Sequence, residues 1–346
     1  MNEKWQNRLG GAVDELFLAL PKVRNRLKPV WMDRARYERE IDYYYENGYV
    51  ADPETFSSFP ESAPSFEVAE SRPWQEGRRE VVAWESAYMP RNPLLRERYN
   101  AWERNRTACL VRWTHGDGGR KTVLCLHGYM LGEPSQAERM FHIRRLFSLG
   151  LDVALFVTPF HWKRGYRSLS LRGIFLQPED VAMTWERFGQ TMHDLYGAFL
   201  ILKGSGAGQI GIIGASLGGY NAALFSALTD VHSFAALMVP AVDFSIPLGP
   251  DSIRLGLGEG DPLLKKIREV WRAHSPLNFP PRLSPERILV IASQGDRLCP
   301  AVHVQALRDR WELPHCHLLP GGHWLVFNNI RGREWYGFLK DQGFLP

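Results

Sequence analysis

The segment Gly214–Gly219 carries the strongest chemical signal in the sequence. Its serine, Ser216, has one glycine two residues before it and another two residues after it. The apolar segment 209–213 precedes this motif, and a helix is predicted at Leu217–Leu228, so the serine lies in a sharp strand-to-helix turn. Glycines flank such a turn because side chains there would collide with the strand and the helix. The motif predicts Ser216 as a nucleophile above a helix N-terminus, which favours developing negative charge.

A serine nucleophile needs a base and an acid, and candidates for both follow later predicted strands. His323 follows the last predicted strand, directly after Gly321 and Gly322. Its neutral imidazole would accept the serine proton, and a carboxylate would fix its tautomer and stabilise the imidazolium. Asp296 follows the next-to-last predicted strand in a Gly-Asp turn and is our first candidate for the acid. Asp243, which follows an earlier predicted strand, is the second candidate.

Two backbone N–H groups are expected to form an oxyanion hole beside such a serine. One belongs to Leu217, the residue after the nucleophile. The other is expected from the turn that begins with His127 and Gly128, where Tyr129 is the first candidate and Met130 the second. Histidines at strand ends often bond loop backbone groups, so we assign His127 a structural role.

A basic and aromatic segment follows the predicted strand Val153–Val157 and would lie on the active-site side of the sheet. Its cations can bind an anionic group of a substrate, although a solvated loop would carry the same charges. Aromatic side chains near the base can line an apolar acyl pocket, which favours a small-molecule or lipid-like acyl substrate. The residues predicted to bind substrate are His161, Trp162, Lys163, Arg164 and Trp324.

Strand and helix patterns alternate from Glu80 to the C-terminus. Apolar strands separated by amphipathic helices predict a parallel sheet with helices on both faces. Catalytic groups in such a sheet lie beyond the carboxyl ends of the strands. The predicted strands are Glu80–Tyr88, Arg106–Thr114, Lys121–Leu126, Val153–Val157, Ile210–Ile213, Phe234–Val239, Ile288–Ala292 and Cys316–Leu319. The predicted helices are Ser135–Leu149, Glu179–Leu202, Leu217–Leu228, Pro262–Ala273, Ala301–Trp311 and Asn328–Leu339.

The predicted domains are an N-terminal helical extension and linker, 1–79, and a catalytic domain, 80–346, with a cap insertion at about 243–286. In the extension, apolar residues at helical spacing predict a helix from Trp5 to Leu20, ended by Pro21. Its apolar face is expected to pack on the main domain; a surface-binding or dimerising helix is the alternative. A second helix is predicted at Trp31–Asn47, and Ala51–Arg78 is predicted to be an irregular connection.

Composition excludes several functional classes. The net charge is +4, with 42 basic and 38 acidic residues interleaved along the chain, so a nucleic-acid partner is not expected. The four cysteines form no C-x-x-C pair, which argues against a disulfide framework or zinc ribbon and suits a reducing compartment. No apolar run reaches the roughly 20 residues of a membrane span. We therefore expect a cytoplasmic protein with no transmembrane segment and no cofactor; its oligomeric state stays open.

In these motifs the chain resembles the α/β-hydrolase superfamily from about Glu80 to the C-terminus, with nucleophile, acid and base in the order of that fold. The resemblance implies an α/β-hydrolase fold: a mostly parallel eight-stranded sheet flanked by helices, with a small cap insertion and an N-terminal helical extension. It also implies a carboxylic-ester hydrolase that cleaves an ester or other acyl bond through an acyl-enzyme intermediate. Two segments, Arg139–Leu171 and Leu319–His323, resemble the group called abhydrolase domain containing eighteen, which extends the expected substrates to lipids.

Three alternatives to a serine hydrolase fit the sequence less well. A non-catalytic ligand- or partner-binding protein on the same fold is disfavoured because every catalytic position holds a competent residue. A peptidase of this fold usually carries a large additional domain. A metal site of His315, His317 and His323 lacks the carboxylate or thiol pair that would complete it, so no metal is expected.

Overall fold

One sheet organises the chain. The computed structural model describes residues 2–26, 33–166, 174–244, 255–324 and 332–346, without the side chains of 16–26 and Pro178. Its strands are β1 (Phe66–Trp74), β2 (Gly77–Glu85), β3 (Thr107–Thr114), β4 (Thr122–Leu126), β5 (Asp152–Phe156), β6 (Ile210–Ala215), β7 (Ala235–Met238), β8 (Ile288–Ser293) and β9 (His315–Leu319).

The order of the strands across the sheet is β1-β2-β3-β5-β4-β6-β7-β8-β9. The first three strands are antiparallel neighbours, and β3 also runs antiparallel to β5. From β5 to β9 every pairing is parallel. The carboxyl ends of β4 to β9 therefore meet at one edge of the sheet, as predicted. Most of these parallel strands are fully buried, which is why they read as continuous apolar runs.

The structure adds one strand to the predicted eight. β1 lies inside the segment Ala51–Arg78 that we predicted to be irregular, and that prediction is wrong for these nine residues. β1 pairs along β2 as the edge of the sheet, so the sheet begins at Phe66 and not at Glu80. Nearly all side chains of β1 are exposed, so the strand has no buried apolar face that a sequence pattern could reveal.

Helices cover both faces of the sheet. The core on one face includes α2, α6, α7, α8 and α9, and the core on the other includes α4, α5 and α10. Their bounds, with those of α1 and α3, are α1 (Glu3–Arg26), α2 (Arg34–Glu46), α3 (Arg96–Asn100), α4 (Pro134–Met140), α5 (Ile143–Ser148), α6 (Val181–Gly204), α7 (Leu217–Leu228), α8 (Pro262–Ala273), α9 (Ala301–Trp311) and α10 (Arg333–Asp341). This layered arrangement matches the predicted architecture.

Most helix bounds differ from the prediction by a few residues, and three helices differ in a way that has a structural reason or a limit. The helix predicted at Ser135–Leu149 is divided into α4 and α5, because His142 between them has a left-handed backbone with φ 51°. The first helix continues past Pro21 to Arg26; a proline deletes one backbone donor and did not end this helix. The last helix begins at Arg333, and the predicted start at Asn328 lies outside the described residues.

The predicted cap insertion packs against the N-terminal extension. Arg34 of α2 forms a salt bridge of 2.7 Å with Asp261, which caps the start of α8. Tyr45 of α2 donates a hydrogen bond of 2.7 Å to Glu269 of α8. Residues 245–254 of the insertion lie outside the described residues. In the part of the chain that is described, the helices are too short or too polar to cross a lipid bilayer.

Candidate active site

Ser216 lies in a strained turn between β6 and α7. Its backbone has φ 56° and ψ −115°, a conformation that residues other than glycine rarely adopt. A Cβ atom on Gly214 would lie 2.1 Å from the carbonyl oxygen of Gly218, and one on Gly218 would lie 1.9 Å from that of Leu126. The two glycines therefore allow β4, β6 and α7 to approach each other, as the motif predicts. Ser216 is partly exposed, whereas its neighbours Ala215 and Leu217 are buried.

The turn after β4 lies against this serine. A Cβ atom on Gly128 would be 3.5 Å from the Cβ of Ser216, so the two backbones are in close contact. Leu217 is the first residue of α7, where a backbone N–H has no acceptor within the helix. The Met130 N–H donates to Nε2 of His161 at 3.1 Å, which removes our second candidate for the oxyanion hole. Tyr129 stays the candidate on this side.

Two buried histidines hold this turn and are neutral. His127 accepts the Thr158 N–H through Nε2 at 3.1 Å and contacts the Gly128 carbonyl through Nδ1 at 2.9 Å. His161 accepts the Met130 N–H and donates from Nδ1 to the Pro159 carbonyl at 2.8 Å. Burial lowers the pKa of His127 to about 3 and that of His161 to about 4. Both ring nitrogens of His161 are engaged within the protein, so His161 positions the turn, and its role in substrate binding stays a prediction.

The Asp296 side chain joins the loops after β8 and β9. Nδ1 of His323 lies 2.7 Å from Oδ2 of Asp296, and both side chains are buried. The other carboxylate oxygen, Oδ1, accepts the N–H groups of Leu298 at 2.8 Å and Cys299 at 2.7 Å. These bonds fix the carboxylate relative to its own loop. Asp243, the other candidate acid, is partly buried and lies beyond β7. Burial raises the pKa of the Tyr220 hydroxyl, and the charge of Asp243 raises it further.

His323 is more basic than an ordinary histidine. Burial by itself lowers its pKa, but the charge and hydrogen bonds of Cys299 and Asp296 outweigh burial and raise the pKa above the usual value of about 6.5. A carboxylate held at Nδ1 favours the imidazolium and directs Nε2 away from the acid. The imidazolium form of His323 is therefore stabilised relative to an ordinary histidine.

The remaining residues predicted to bind substrate have different environments. The guanidinium of Arg164 is fully buried, where it pairs with Asp194 at 2.6 Å and bonds the Asn105 carbonyl at 2.9 Å, so it cannot reach a substrate anion and that prediction is wrong. Lys163 is exposed and pairs with Glu70 of the edge strand β1. Trp162 packs with the core on the α5 face. Trp324 lies against His323, with ring centroids 5.7 Å apart.

Sequence reasoning missed the contribution of α1 to this site. Asn7, Gly10 and Asp14 of α1 contact the loops after β8 and β9. A Cβ atom on Gly10 would lie 2.1 Å from the backbone nitrogen of Gly322. A glycine inside a helix costs about 1 kcal/mol relative to alanine, so the pair Gly10-Gly11 in a predicted helix was the available signal of close packing.

Among the described residues, one group of side chains has metal-ligand spacing. Asp296, Cys299 and His323 each offer a ligand atom within 4.8 Å of the others, whereas His315 and His317 do not belong to this group. His323 and Asp296 already share a hydrogen bond, so a cation bound by both would have to replace that bond.

Comparisons with known proteins agree with this architecture. No family model matches the chain. Two uncharacterized proteins of Mycobacterium tuberculosis, from strains CDC 1551 / Oshkosh and ATCC 25618 / H37Rv, are each 26% identical over 373 residues, covering 99% of this chain and 88% of theirs. Acetyl xylan esterase 1 from Thermoanaerobacterium sp. JW/SL YS485 superposes with a TM-score of 0.56 at 12% identity, over 91% of this chain and 95% of its own.

Two further solved structures are similar at the level of the fold. Acetyl xylan esterase from Paenibacillus sp. R4 has a TM-score of 0.56 at 14% identity, over 89% of this chain and 95% of its own. A cold-adapted esterase from an Arctic intertidal metagenomic library has a TM-score of 0.53 at 16% identity, over 82% of this chain and 100% of its own. The chain therefore has the α/β-hydrolase fold, as predicted.

The glycines of the turn provide a test of its packing. Gly218→Ala would force a Cβ atom into the Leu126 carbonyl, a backbone group that cannot move aside, so we expect the free energy of unfolding to fall by about 1–3 kcal/mol or more. The matched control is Gly337→Ala in α10, where a Cβ atom meets nothing within 4 Å. It should raise stability by about 1 kcal/mol. Urea unfolding measures both; equal stability of the two variants would contradict this packing.

Proposed function

We propose that the protein is a serine esterase with Ser216 as nucleophile, His323 as general base and Asp296 as the acid that orients the base. The backbone N–H groups of Leu217 and Tyr129 form the oxyanion hole. The observation that carries this proposal is the 2.7 Å hydrogen bond between His323 and Asp296, at the edge of the sheet where β6 ends in Ser216. A buried Asp–His pair at this edge can act as a base toward a neighbouring hydroxyl, and we propose that this hydroxyl is that of Ser216.

The first half of the reaction forms an acyl-enzyme. Oγ of Ser216 attacks the ester carbonyl while Nε2 of His323 takes the hydroxyl proton, and Asp296 stabilises the resulting imidazolium. The carbonyl oxygen becomes an oxyanion that accepts hydrogen bonds from Leu217 and Tyr129. Leu217 opens α7, whose N-terminal dipole favours the same negative charge. His323 then protonates the leaving alcohol as the ester C–O bond breaks.

The second half returns the free enzyme. Water attacks the acyl carbonyl, His323 takes its proton, and the tetrahedral intermediate collapses to release the acid and Ser216. The strained backbone of Ser216 supports this cycle because such a turn exposes a serine at the sheet edge, and Ser216 is partly exposed between two buried neighbours. No cofactor is needed for any of these steps.

We propose a small acyl ester as the substrate class. The solved structures that share the fold include two acetyl xylan esterases and a further esterase, which makes short acyl groups the first to test. Lipid-like acyl groups are the second substrate class to test, because two segments resemble the group called abhydrolase domain containing eighteen. That resemblance stays a prediction. The cytoplasmic location also stays a prediction. Arg164 is buried and is not part of this pocket. We assign Trp324 to the acyl pocket because its aromatic ring lies beside His323.

A fluorophosphonate probe tests the nucleophile. We expect the wild-type protein to form one covalent adduct, and Ser216→Ala to form none, because the probe reacts only with a serine whose proton a base removes. Hydrolysis of p-nitrophenyl acetate by Ser216→Ala should fall by about 10⁶-fold. Ser226→Ala, a buried serine on the same helix as Leu217, is the control and should be labelled normally. An unlabelled wild-type protein would favour a non-catalytic binding protein.

The pH dependence of hydrolysis tests the base. Only the neutral imidazole accepts a proton, so kcat/KM must fall as the pH falls through the pKa of His323. Because Asp296 and Cys299 raise that pKa despite burial, we expect the midpoint of the acid limb above about 6.5. Cys299→Val removes one of these two influences and should move the midpoint to lower pH without abolishing the limb. A midpoint at or below the ordinary histidine value in wild type would refute this description of the base.

A further inference from the structure

The N-terminal helix α1 is bonded to both loops that carry the proposed acid and base. Oδ2 of Asp14 accepts the backbone N–H of His323 at 2.9 Å and that of Arg297 at 3.0 Å. One oxygen atom thus bonds the base itself and the residue that follows the acid. The Asp14 side chain is fully buried.

A second residue of α1, Asn7, makes a parallel connection two helical turns before Asp14. Oδ1 of Asn7 accepts the Gly321 N–H at 2.7 Å, and Nδ2 of Asn7 donates to the Gln294 side chain at 2.9 Å. Between the two polar residues, Gly10 contacts Gly322 so closely that no side chain fits. Asn7, Gly10 and Asp14 recur at spacings of three and four residues, so they form one stripe along the helix.

This stripe is not the apolar face that we expected to pack on the main domain. The side chains of Trp5 and Leu9 are 55% and 39% exposed. Within residues 2–15, whose side chains are described, the helix contacts the loops through small and polar residues that bond backbone groups. A helix that packs only through apolar side chains would contribute to stability alone. Here a buried carboxylate, that of Asp14, bonds two loops and fixes their positions. Burying that carboxylate is costly and raises its pKa, an effect that its two N–H bonds partly offset.

We infer that Asp14 is a positioning residue of the active site, which holds the loops of Asp296 and His323 in register and places a second negative charge behind the base. The inference rests on the proposed function, since it assigns Asp14 to the geometry of that triad. Its charge interacts favourably with His323 and unfavourably with Asp296. Among the described residues, Asp296 and Cys299 also interact with His323, and both raise its pKa. Arg297 turns outward, 4.0 Å from the exposed Glu15.

Two substitutions separate the hydrogen bonds from the charge. Asp14→Ala removes the acceptor, so both loops lose a bond, and we expect kcat for p-nitrophenyl acetate to fall by up to about 100-fold with little change in KM. Asp14→Asn keeps one oxygen that can accept both N–H groups and should recover most of this loss. It removes the charge, so the acid limb should move to lower pH. The control Glu15→Gln removes a neighbouring exposed charge and should change neither kcat nor the acid limb.

The titration of the His323 imidazole, followed by NMR of the isotope-labelled protein, reads the same charge without any need for activity. We expect a lower pKa in Asp14→Asn than in wild type, and no change in Glu15→Gln. If the wild-type protein does not hydrolyse esters but the NMR shift occurs, the proposed function fails and the link to Asp14 stands. If Asp14→Ala keeps wild-type kcat, or unfolds while Asp14→Asn leaves both kcat and the titration unchanged, Asp14 is merely structural and the inference is overturned.

Discussion

The hydrogen bond between His323 and Asp296 joins the loops that follow two different strands. The bond can form only if both loops are held in place. β8 and β9 pair in parallel up to Ser293 and Leu319, so the sheet sets the spacing at which the loops begin. Beyond that point the loops rely on other contacts. The Asp296 carboxylate bonds the N–H groups of Leu298 and Cys299, and Asp14 bonds those of Arg297 and His323. The loops of Asp296 and His323, the proposed acid and base, are therefore fixed from both sides.

The same reasoning applies to Ser216, the proposed nucleophile. A serine at φ 56° is held there by packing, because Gly214 and Gly218 let the strand, the turn and the helix approach to distances that exclude a Cβ atom. The turn after β4 is fixed in turn by His127 and His161, which are neutral because they are buried. The site thus consists of a few chemical groups on backbone segments whose positions are determined by glycine contacts and buried hydrogen bonds.

The sequence was sufficient for the parts of this protein that depend on local pattern. The strand, turn and helix around Ser216 have a distinctive residue spacing, and continuous apolar runs predicted the parallel strands. It was insufficient where a residue's environment depends on distant partners. Arg164 was expected in a solvated or substrate-binding loop, but Asp194 on α6 neutralises it inside the protein. Both residues are polar, and no periodicity links them.

The docking of α1 could not be predicted for a related reason. Hydrophobic periodicity identifies apolar faces, and it predicted that Trp5 and Leu9 pack on the main domain. Both side chains are exposed in the structure. In the part of α1 whose side chains are described, the contacts come from glycines and from polar groups that bond backbone atoms, whose positions exist only in the folded chain. β1 was not predicted because its residues are exposed and show no apolar pattern, which an edge strand does not need. In each case the missing information was tertiary, and it concerned polar or small residues.

The most direct test of the central claim is the turnover number of Asp296→Asn on p-nitrophenyl acetate, measured beside that of Asp243→Asn. Asparagine preserves the shape of the acid but cannot stabilise the imidazolium or impose the required tautomer. If the bond from His323 to Asp296 organises the site, Asp296→Asn should lose about 10⁴-fold in kcat while Asp243→Asn stays close to wild type. Loss of turnover in Asp243→Asn, with Asp296→Asn nearly unaffected, would contradict the account.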